Sequence, residues 1–167
     1  GLNNFLPAAH HAAMCQAEGG RVIRSLHSRA KIGTTFSSSL VHPFTESLQD
    51  IQAAGRVDAL LNRTFAEPLA GLGYPTGDLK LLNRLEPYIK GNDESKLPFA
   101  MDFVGVQTYT REVVAFSPFT PLLWAKVVPA DKRGVKSTVM NWEVYPESLS
   151  AMLKRFGGYR QFKEIIV

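Results

Sequence analysis

Three short, uninterrupted apolar runs, each preceded by a longer helical pattern, constrain the fold of this chain most strongly. The runs cover residues 31–36, 99–109 and 162–167 and are rich in β-branched and aromatic residues. Apolar strands without polar alternation are typical of parallel sheets that are covered on both faces. Because parallel neighbours need a crossover connection, helices are expected to pack on the sheet. The sequence therefore predicts α/β structure with parallel strands and crossover helices.

The helical patterns that separate these runs have recognisable ends. The first extends to Leu26, with Asn3 and Asn4 as candidate N-cap residues. The second begins near Thr45 and carries an apolar stripe at helical spacing. The third covers residues 147–156 and is followed by two glycines, which commonly end helices. Three helices thus alternate with three strands, which is the order of a barrel or of an open doubly wound sheet.

Length decides between a complete and an incomplete sheet. The 167 residues, 45% hydrophobic and 20% charged, suffice for one globular domain, which we predict to span residues 1–167. A complete eight-stranded barrel takes about 250 residues, and only three strands are predicted here. The Pro-studded segment 117–129 is predicted to be a long connection, and residues 131–134 an exposed turn. The sheet is therefore either small and open, or part of a barrel.

Composition argues against several other classes of protein. The net charge of +4 is spread among acidic residues, so no nucleic-acid partner is expected. The single cysteine, Cys15, excludes an internal disulfide and a thiolate zinc site. No apolar run approaches the roughly 20 residues that cross a bilayer, and the chain starts without a signal-peptide pattern. We therefore expect a soluble, cytoplasmic protein. No metal or cofactor is expected, because no cysteine or carboxylate completes a ligand set with the four histidines, His10, His11, His27 and His42.

Several strings, in order and at a consistent spacing, carry a family resemblance. The strongest are D-F-V-G-V-Q-T-Y-T at residues 102–110 and N-W-E-V-Y-P-E at residues 141–147. Three shorter ones are His10-His11, Lys31-Ile32-Gly33 and Gly73-Tyr74-Pro75. Together they resemble glycoside hydrolase family 1, where the two longer strings are D-F-[IVL]-G-[IVL]-N-Y-Y-[ST] and G-W-x-[IV]-x-P-x-G. The resemblance implies a partial TIM (β/α)8 barrel, from its fourth helix to its seventh strand.

The resemblance also implies a reaction. Retaining glycosidases use two carboxyl groups about 5 Å apart as nucleophile and acid/base. In the family these belong to a T-E-N-G string after strand seven and an N-E-P string after strand four. Neither string occurs in this sequence, so the glutamates are expected before Gly1 and just after Val167, and this chain alone is expected to be inactive. Structural or surface roles are expected instead for Asp102, Glu143 and Glu164.

Residues near the substrate can be carried over position by position. Tyr109 matches a tyrosine that hydrogen-bonds the nucleophile, and Gln107 matches an asparagine that positions the acid/base group. Ser37 falls where the family often has an asparagine near the sugar. The expected ligand is a β-glycoside or oligosaccharide. Thr108 and Asn141 depart from the family strings, where tyrosine and glycine stand.

These departures cluster around the expected site, whereas the scaffold string at residues 102–105 is kept. The alternative is therefore a non-catalytic or degenerate glycosidase-like module that binds sugar or self-associates. A partial barrel also leaves strand edges unpaired and apolar faces uncovered, both of which promote association. We accordingly predict a homo-oligomer for the isolated chain.

Overall fold

A computed structural model describes the backbone of residues 2–167, with side chains from Asn4 onward. The elements, in chain order, are α1 (Leu2–Leu26), β1 (Gly33–Ser37), β2 (Leu40–Pro43), α2 (Leu48–Asp58), a π-helical segment (Ala59–Arg63), α3 (Thr64–Leu69), a 3-10 helix (Lys80–Tyr88), α4 (Asp93–Lys96), β3 (Met101–Gln107), β4 (Arg111–Phe116), β5 (Ala125–Val127), α5 (Ala130–Arg133), α6 (Glu147–Gly157) and β6 (Phe162–Ile166).

The main sheet consists of the three strands that the sequence predicts. Its order is β1-β3-β6, and both pairings are parallel, with Thr35 opposite Gly105 and Gly105 opposite Ile166. Helical segments lie between consecutive strands of this sheet, as parallel pairing requires. The predicted α/β arrangement is confirmed. Since β3 ends at Gln107, Tyr109 lies beyond the strand and not within it.

A second, smaller sheet was not predicted. β2 pairs with β4 in parallel, and β4 pairs with β5 in antiparallel fashion. The prediction of a continuous connection over 117–129 is wrong because β5 lies inside it, and α5 occupies most of the predicted turn at 131–134. Strands of three or four residues such as β2 and β5 carry too little periodicity to be recognised locally. They are specified by long-range pairing with β4.

Helix starts also differ from the prediction. Asn3 and Asn4 lie inside α1 and are not its N-cap. The cap of α2 is Ser47, whose hydroxyl accepts a hydrogen bond from the backbone N–H of Asp50 at 3.2 Å, so this helix starts after Thr45. Pro68 lies within the short helix α3. Across residues 2–167, no helix combines the length and the apolar character that a membrane crossing demands.

The core lies between the main sheet and its helices. Val104 and Val106 alternate along β3, and Phe36 of β1 lies opposite Val106. All three side chains are buried. The Phe36 ring stacks on that of Phe156 from α6, with 5.9 Å between centroids. Because side chains alternate across a strand, the intervening residues face the other side of the sheet, where Gln107 is exposed. That side is the one on which the candidate site lies.

Two glycines of the recognised strings permit close packing within this sheet. A Cβ on Gly33 would collide with the backbone oxygen of Phe103, and one on Gly105 would lie 2.6 Å from the Thr35 hydroxyl. Contacts this short are not tolerated by real side chains. Both glycines are therefore needed for the pairing of β1 with β3, and part of the family resemblance reflects packing and not chemistry.

Candidate active site

The carboxyl ends of β1 and β3 meet at one edge of the main sheet. Ser37 and Gln107 are register partners there, and both side chains are exposed. The connection after β1 is fixed to the same point, because the backbone N–H of Ser38 donates to the Gln107 carbonyl at 2.8 Å and its hydroxyl donates to the same oxygen at 3.2 Å. Two residues singled out from the sequence are thus neighbours in the structure.

Tyr109 completes this group of polar side chains. Its hydroxyl donates to the Gln107 side-chain oxygen at 3.2 Å, and the side chain is largely exposed. Its ring lies 5.3 Å from that of Trp142, at an interplanar angle of 39°. A cleft of about 310 Å³ opens beside Tyr109 and is lined mainly by residues from the segment that precedes α6 and from its first turn. The structure therefore joins Tyr109 both to Gln107 and to the tryptophan string.

Ser37 faces a different recess. A cleft of about 270 Å³ lies between β1, α1 and the π-helical segment, and Ser37 is in its wall together with Gln16 and Asn62. Asn62 is buried and bonds both to the Ser39 backbone and to the Asp58 carboxylate. Ser37 and Tyr109 share an edge of the sheet, yet they line separate clefts.

Glu143 is buried in a cluster of positive charge. Arg111 donates to its carboxylate through two nitrogens, each at 2.8 Å, and Arg133 donates at 2.7 Å. These hydrogen bonds, from Arg111 first, hold the pKa of Glu143 at about 2 despite its burial. The Arg111 guanidinium also lies 3.9 Å from the centroid of the Tyr145 ring. Glu143 is thus a carboxylate that is charged at neutral pH and is held by two arginines.

His42 borders this cluster from β2. Its Nδ1 lies 3.2 Å from an Arg111 nitrogen, which can only donate, so Nδ1 accepts and the imidazole is neutral. Burial, followed by the charge of Arg111, lowers the pKa of His42. Sequence reasoning missed this whole cluster, because Arg111 and Glu143 lie 32 residues apart and no spacing rule joins them.

Asp102 lies at the opposite end of β3. It accepts hydrogen bonds from the backbone N–H of Ile32 at 3.0 Å, from Arg24 at 2.6 Å and from Lys163 at 3.0 Å. These contacts, the Ile32 N–H first, hold the pKa of Asp102 far below its usual range. The carboxylate joins α1, β1, β3 and β6 at the edge away from the candidate site. Glu164 is exposed and pairs with Lys31 at 3.5 Å.

His10 of α1 is bound by other side chains of the protein. His10 is fully buried, with Nδ1 2.9 Å from the Tyr74 hydroxyl and Nε2 3.3 Å from an Asp93 oxygen. This contact joins α1 to the turn at Tyr74 and to α4. Within the part of the chain that the structure describes, no three His, Cys, Asp or Glu side chains are grouped so that they could hold a metal ion.

Comparisons with known proteins match nearly the whole chain. The family model of glycosyl hydrolase family 1 matches residues 2–167. β-Glucosidase A of Thermotoga maritima is 30% identical over 149 residues, which are 89% of this chain and 32% of that protein. β-Glucosidase A of Acetivibrio thermocellus is 25% identical over 91% of this chain and 34% of that protein. The chain therefore spans about a third of the length of these relatives.

Solved structures agree with the sequence matches. The AHE enzyme of Alicyclobacillus herbarius superposes with a TM-score of 0.84 at 29% identity, over 95% of this chain and 35% of that one. The family 1 β-glucosidase of Thermotoga maritima gives 0.80 at 26% identity, over 95% and 35%. The predicted partial (β/α)8 barrel is confirmed. Because the family model matches far more than half of its residues, this chain belongs to glycosyl hydrolase family 1.

Proposed function

We propose that these residues are a segment of a retaining β-glycosidase of the β-glucosidase type, which hydrolyses O-glycosidic bonds of carbohydrates. Family membership over residues 2–167 and the names of the relatives support this. The observation that carries the proposal is the meeting of Gln107 and Tyr109, with Ser37 beside them, at the carboxyl edge of the parallel strands. Barrel enzymes hold their active sites at that edge.

Each of these side chains has a proposed part in binding. The exposed Tyr109 hydroxyl would donate to a carboxylate nucleophile and so stabilise its charged form. Gln107 would contact the sugar or the acid/base group, and Ser37 would offer a hydroxyl to the sugar from the neighbouring strand. No cofactor is proposed, because two carboxyl groups suffice for this reaction.

The two catalytic glutamates are proposed to come from outside the 167 residues. The strings N-E-P and T-E-N-G do not occur among them. The carboxylates of Asp102 and Glu143 are each bound by two cationic side chains, which suits a structural role better than proton transfer. We therefore expect the chain alone to lack hydrolytic activity.

A chimera tests this proposal. Residues 2–167 would replace the matching segment of Thermotoga maritima β-glucosidase A, and release of the phenol from an aryl β-glucoside would be measured. We expect turnover by the chimera and none above buffer for the 167 residues alone. A chimera that is soluble and unfolds cooperatively but does not turn over would contradict the proposed activity. Turnover by the isolated chain would contradict the placing of the glutamates.

The second candidate function is a degenerate module that binds sugar without cleaving it. The hydrogen bond from Tyr109 to Gln107 favours it, because a phenol has one proton and here that proton is directed at the amide. Titration calorimetry of the folded, inactive chimera with a β-glucoside would identify this case. Saturable binding without turnover supports the module, and absence of both excludes it.

Self-association and location are proposed separately. Within the described residues, β1 and β6 each have one partner in the main sheet, so both outer edges are free for pairing. We propose that the isolated chain forms a homo-oligomer through these edges. The full-length enzyme, which would bind a β-glycoside or oligosaccharide, is proposed to be cytoplasmic. No nucleic-acid or membrane partner is proposed.

A further inference from the structure

Glu143 stands directly after Trp142, and Arg111 stands two residues after Tyr109. The two aromatic rings in contact are therefore carried by the same two segments that the Arg111–Glu143 ion pair joins. The pairing of Ser137 with Glu143 shows that the tryptophan segment folds back as a hairpin. The ion pair links the tryptophan segment to the start of β4, next to the contact between the Arg111 guanidinium and the Tyr145 ring.

Further contacts around Glu143 fix the same segment. The Thr110 hydroxyl donates to the Glu143 carbonyl at 3.2 Å, so side chain and backbone of Glu143 are both held by the start of β4. Arg133, the last residue of α5, donates to the carboxylate and also to the Val128 carbonyl at 3.1 Å. Two elements, β4 through Arg111 and α5 through Arg133, thus converge on one carboxylate, whose side chain is 5% exposed.

The Trp142 side chain is only partly covered. It is 39% exposed, and its neighbours Val139 and Met140 at the hairpin tip are more exposed still. Asn141, directly before it, has a left-handed backbone with a φ of 59°, which is strained for a residue other than glycine. Two hydrogen bonds join Asn141 to Asp131 of α5, each at 3.1 Å, and on the other side of the tryptophan the buried Glu143 carboxylate fixes the hairpin to β4 and α5.

We propose that Glu143 is a positioning residue which, through its ion pairs with Arg111 and Arg133, holds the Trp142 ring against Tyr109 at the carboxyl edge of the sheet. Loss of the carboxylate charge leaves two largely covered guanidinium groups without this counter-ion, which is unfavourable. The hairpin then moves away from β4, and the aromatic contact is lost. The consequence for catalysis rests on the proposed glycosidase function, whereas the structural consequence does not.

Tryptophan fluorescence isolates this effect. The chain has two tryptophans, so Trp124→Phe leaves Trp142 as the only one. In that background we expect Glu143→Gln to move the emission to longer wavelength and to increase quenching by acrylamide. Glu112→Gln is the matched control: Glu112 follows Arg111 and is partly buried, yet belongs to none of the ion pairs among residues 2–167. Glu143→Asp, which keeps the charge, should recover part of the native emission.

The outcomes separate the two proposals. A folded Glu143→Gln variant with native emission and quenching overturns the positioning role. If that variant does not fold, Arg133→Gln, which removes one of the two cations, replaces it in the measurement. Arg133→Gln must then show the same shift of emission, but a smaller one. In the chimera, kcat/KM of Glu143→Gln should fall on the order of tenfold relative to Glu112→Gln, as a small misplacement of a binding group does. A changed emission with unchanged kcat/KM contradicts the proposed function of the carboxyl edge of the main sheet. The proposed positioning of Trp142 by Glu143 is then retained.

Discussion

The single proton of the Tyr109 hydroxyl is directed at Gln107 in this structure. In the family strings the matching position is asparagine, whose amide is one methylene shorter. We expect Gln107→Asn to withdraw the acceptor from Tyr109 and to free its hydroxyl for a carboxylate nucleophile. The turnover of an aryl β-glucoside by the chimera should therefore rise, on the order of tenfold for one charge-assisted hydrogen bond.

A double variant controls for indirect effects of this substitution. When Tyr109 is already phenylalanine, Gln107→Asn has no hydroxyl to release and should leave the rate unchanged. A rate that falls with Gln107→Asn in the presence of Tyr109 would contradict the diversion of the proton and would indicate that the longer amide itself contacts the sugar.

Residue positions near the strand ends could be anticipated from the sequence, whereas their contacts could not. Ser37 follows the predicted strand 31–36 and Gln107 lies near the end of the predicted strand 99–109, so parallel strands place both near the carboxyl edge of the sheet. The Arg111–Glu143 pair depends on how a hairpin folds over β4, and no local pattern encodes that. The resemblance identified the string around Trp142 without indicating what holds it.

At the scale of the elements, Asp102 is the carboxylate that ties the amino ends of the strands together. Its folded-state pKa is lowered by the Ile32 N–H, by Arg24 and by Lys163. A lowered pKa means that its contribution is complete above the unfolded value of about 3.9 and is lost as the pH falls through that value toward the folded pKa. Asp102→Asn should therefore lower the urea midpoint at pH 7, and the difference from the parent should shrink between about pH 4 and pH 2.

Glu164 provides the matched carboxylate for that measurement. It lies on β6 and forms an exposed ion pair with Lys31. Exposed ion pairs contribute little to the free energy of unfolding. Glu164→Gln should leave the urea midpoint nearly unchanged over the same pH range. A midpoint for Asp102→Asn that equals the parent's at pH 7 would refute the role of Asp102 as an anchor.

Adjacent glycines in α1 give a second prediction for an element. A Cβ on Gly19 meets nothing within 4 Å, whereas one on Gly20 would lie 2.5 Å from the Phe99 ring. Alanine favours the helix by about 0.5–1 kcal/mol at either position. We expect Gly19→Ala to raise the free energy of unfolding by that amount, and Gly20→Ala to lower it by about 1–3 kcal/mol through overpacking. Equal midpoints of the two variants in chemical denaturation would show that the Phe99 ring moves aside freely.

The elements that the sequence predicted share one property, which the missed ones lack. β1, β3, β6 and α6 are each defined by their own apolar pattern and by flanking turn residues. β2 ends in Pro43 and spans four residues, and β5 lies between prolines and is stabilised by pairing with β4. Their conformation depends on partners distant in the sequence, so local propensity gives no signal for them.

At the scale of the whole molecule, α2 and the segment after it connect the two sheets. Val57 of α2 packs with Val114 of β4 in the core of the smaller sheet, while Asp58 forms an ion pair with Arg155 of α6, which covers the main sheet. Asn62 binds the backbone at Ser39, between β1 and β2. These links favour the single unit predicted for residues 1–167, which would unfold in one cooperative transition.

The free edges of the main sheet lead to a prediction for the assembly. Ile166 of β6 is 50% exposed at an edge with no partner strand among residues 2–167. A lysine at such an edge opposes strand-to-strand pairing, because its charge would have to leave water on association. If the chain associates through this edge, Ile166→Lys should weaken association by at least about tenfold, corresponding to about 1.4 kcal/mol. Sedimentation velocity over a range of concentrations measures the effect.

Val22→Lys is the control for this substitution, because Val22 lies on the exposed face of α1, and it should leave association unchanged. A parent chain that sediments as a monomer at tens of micromolar would refute pairing through the strand edges.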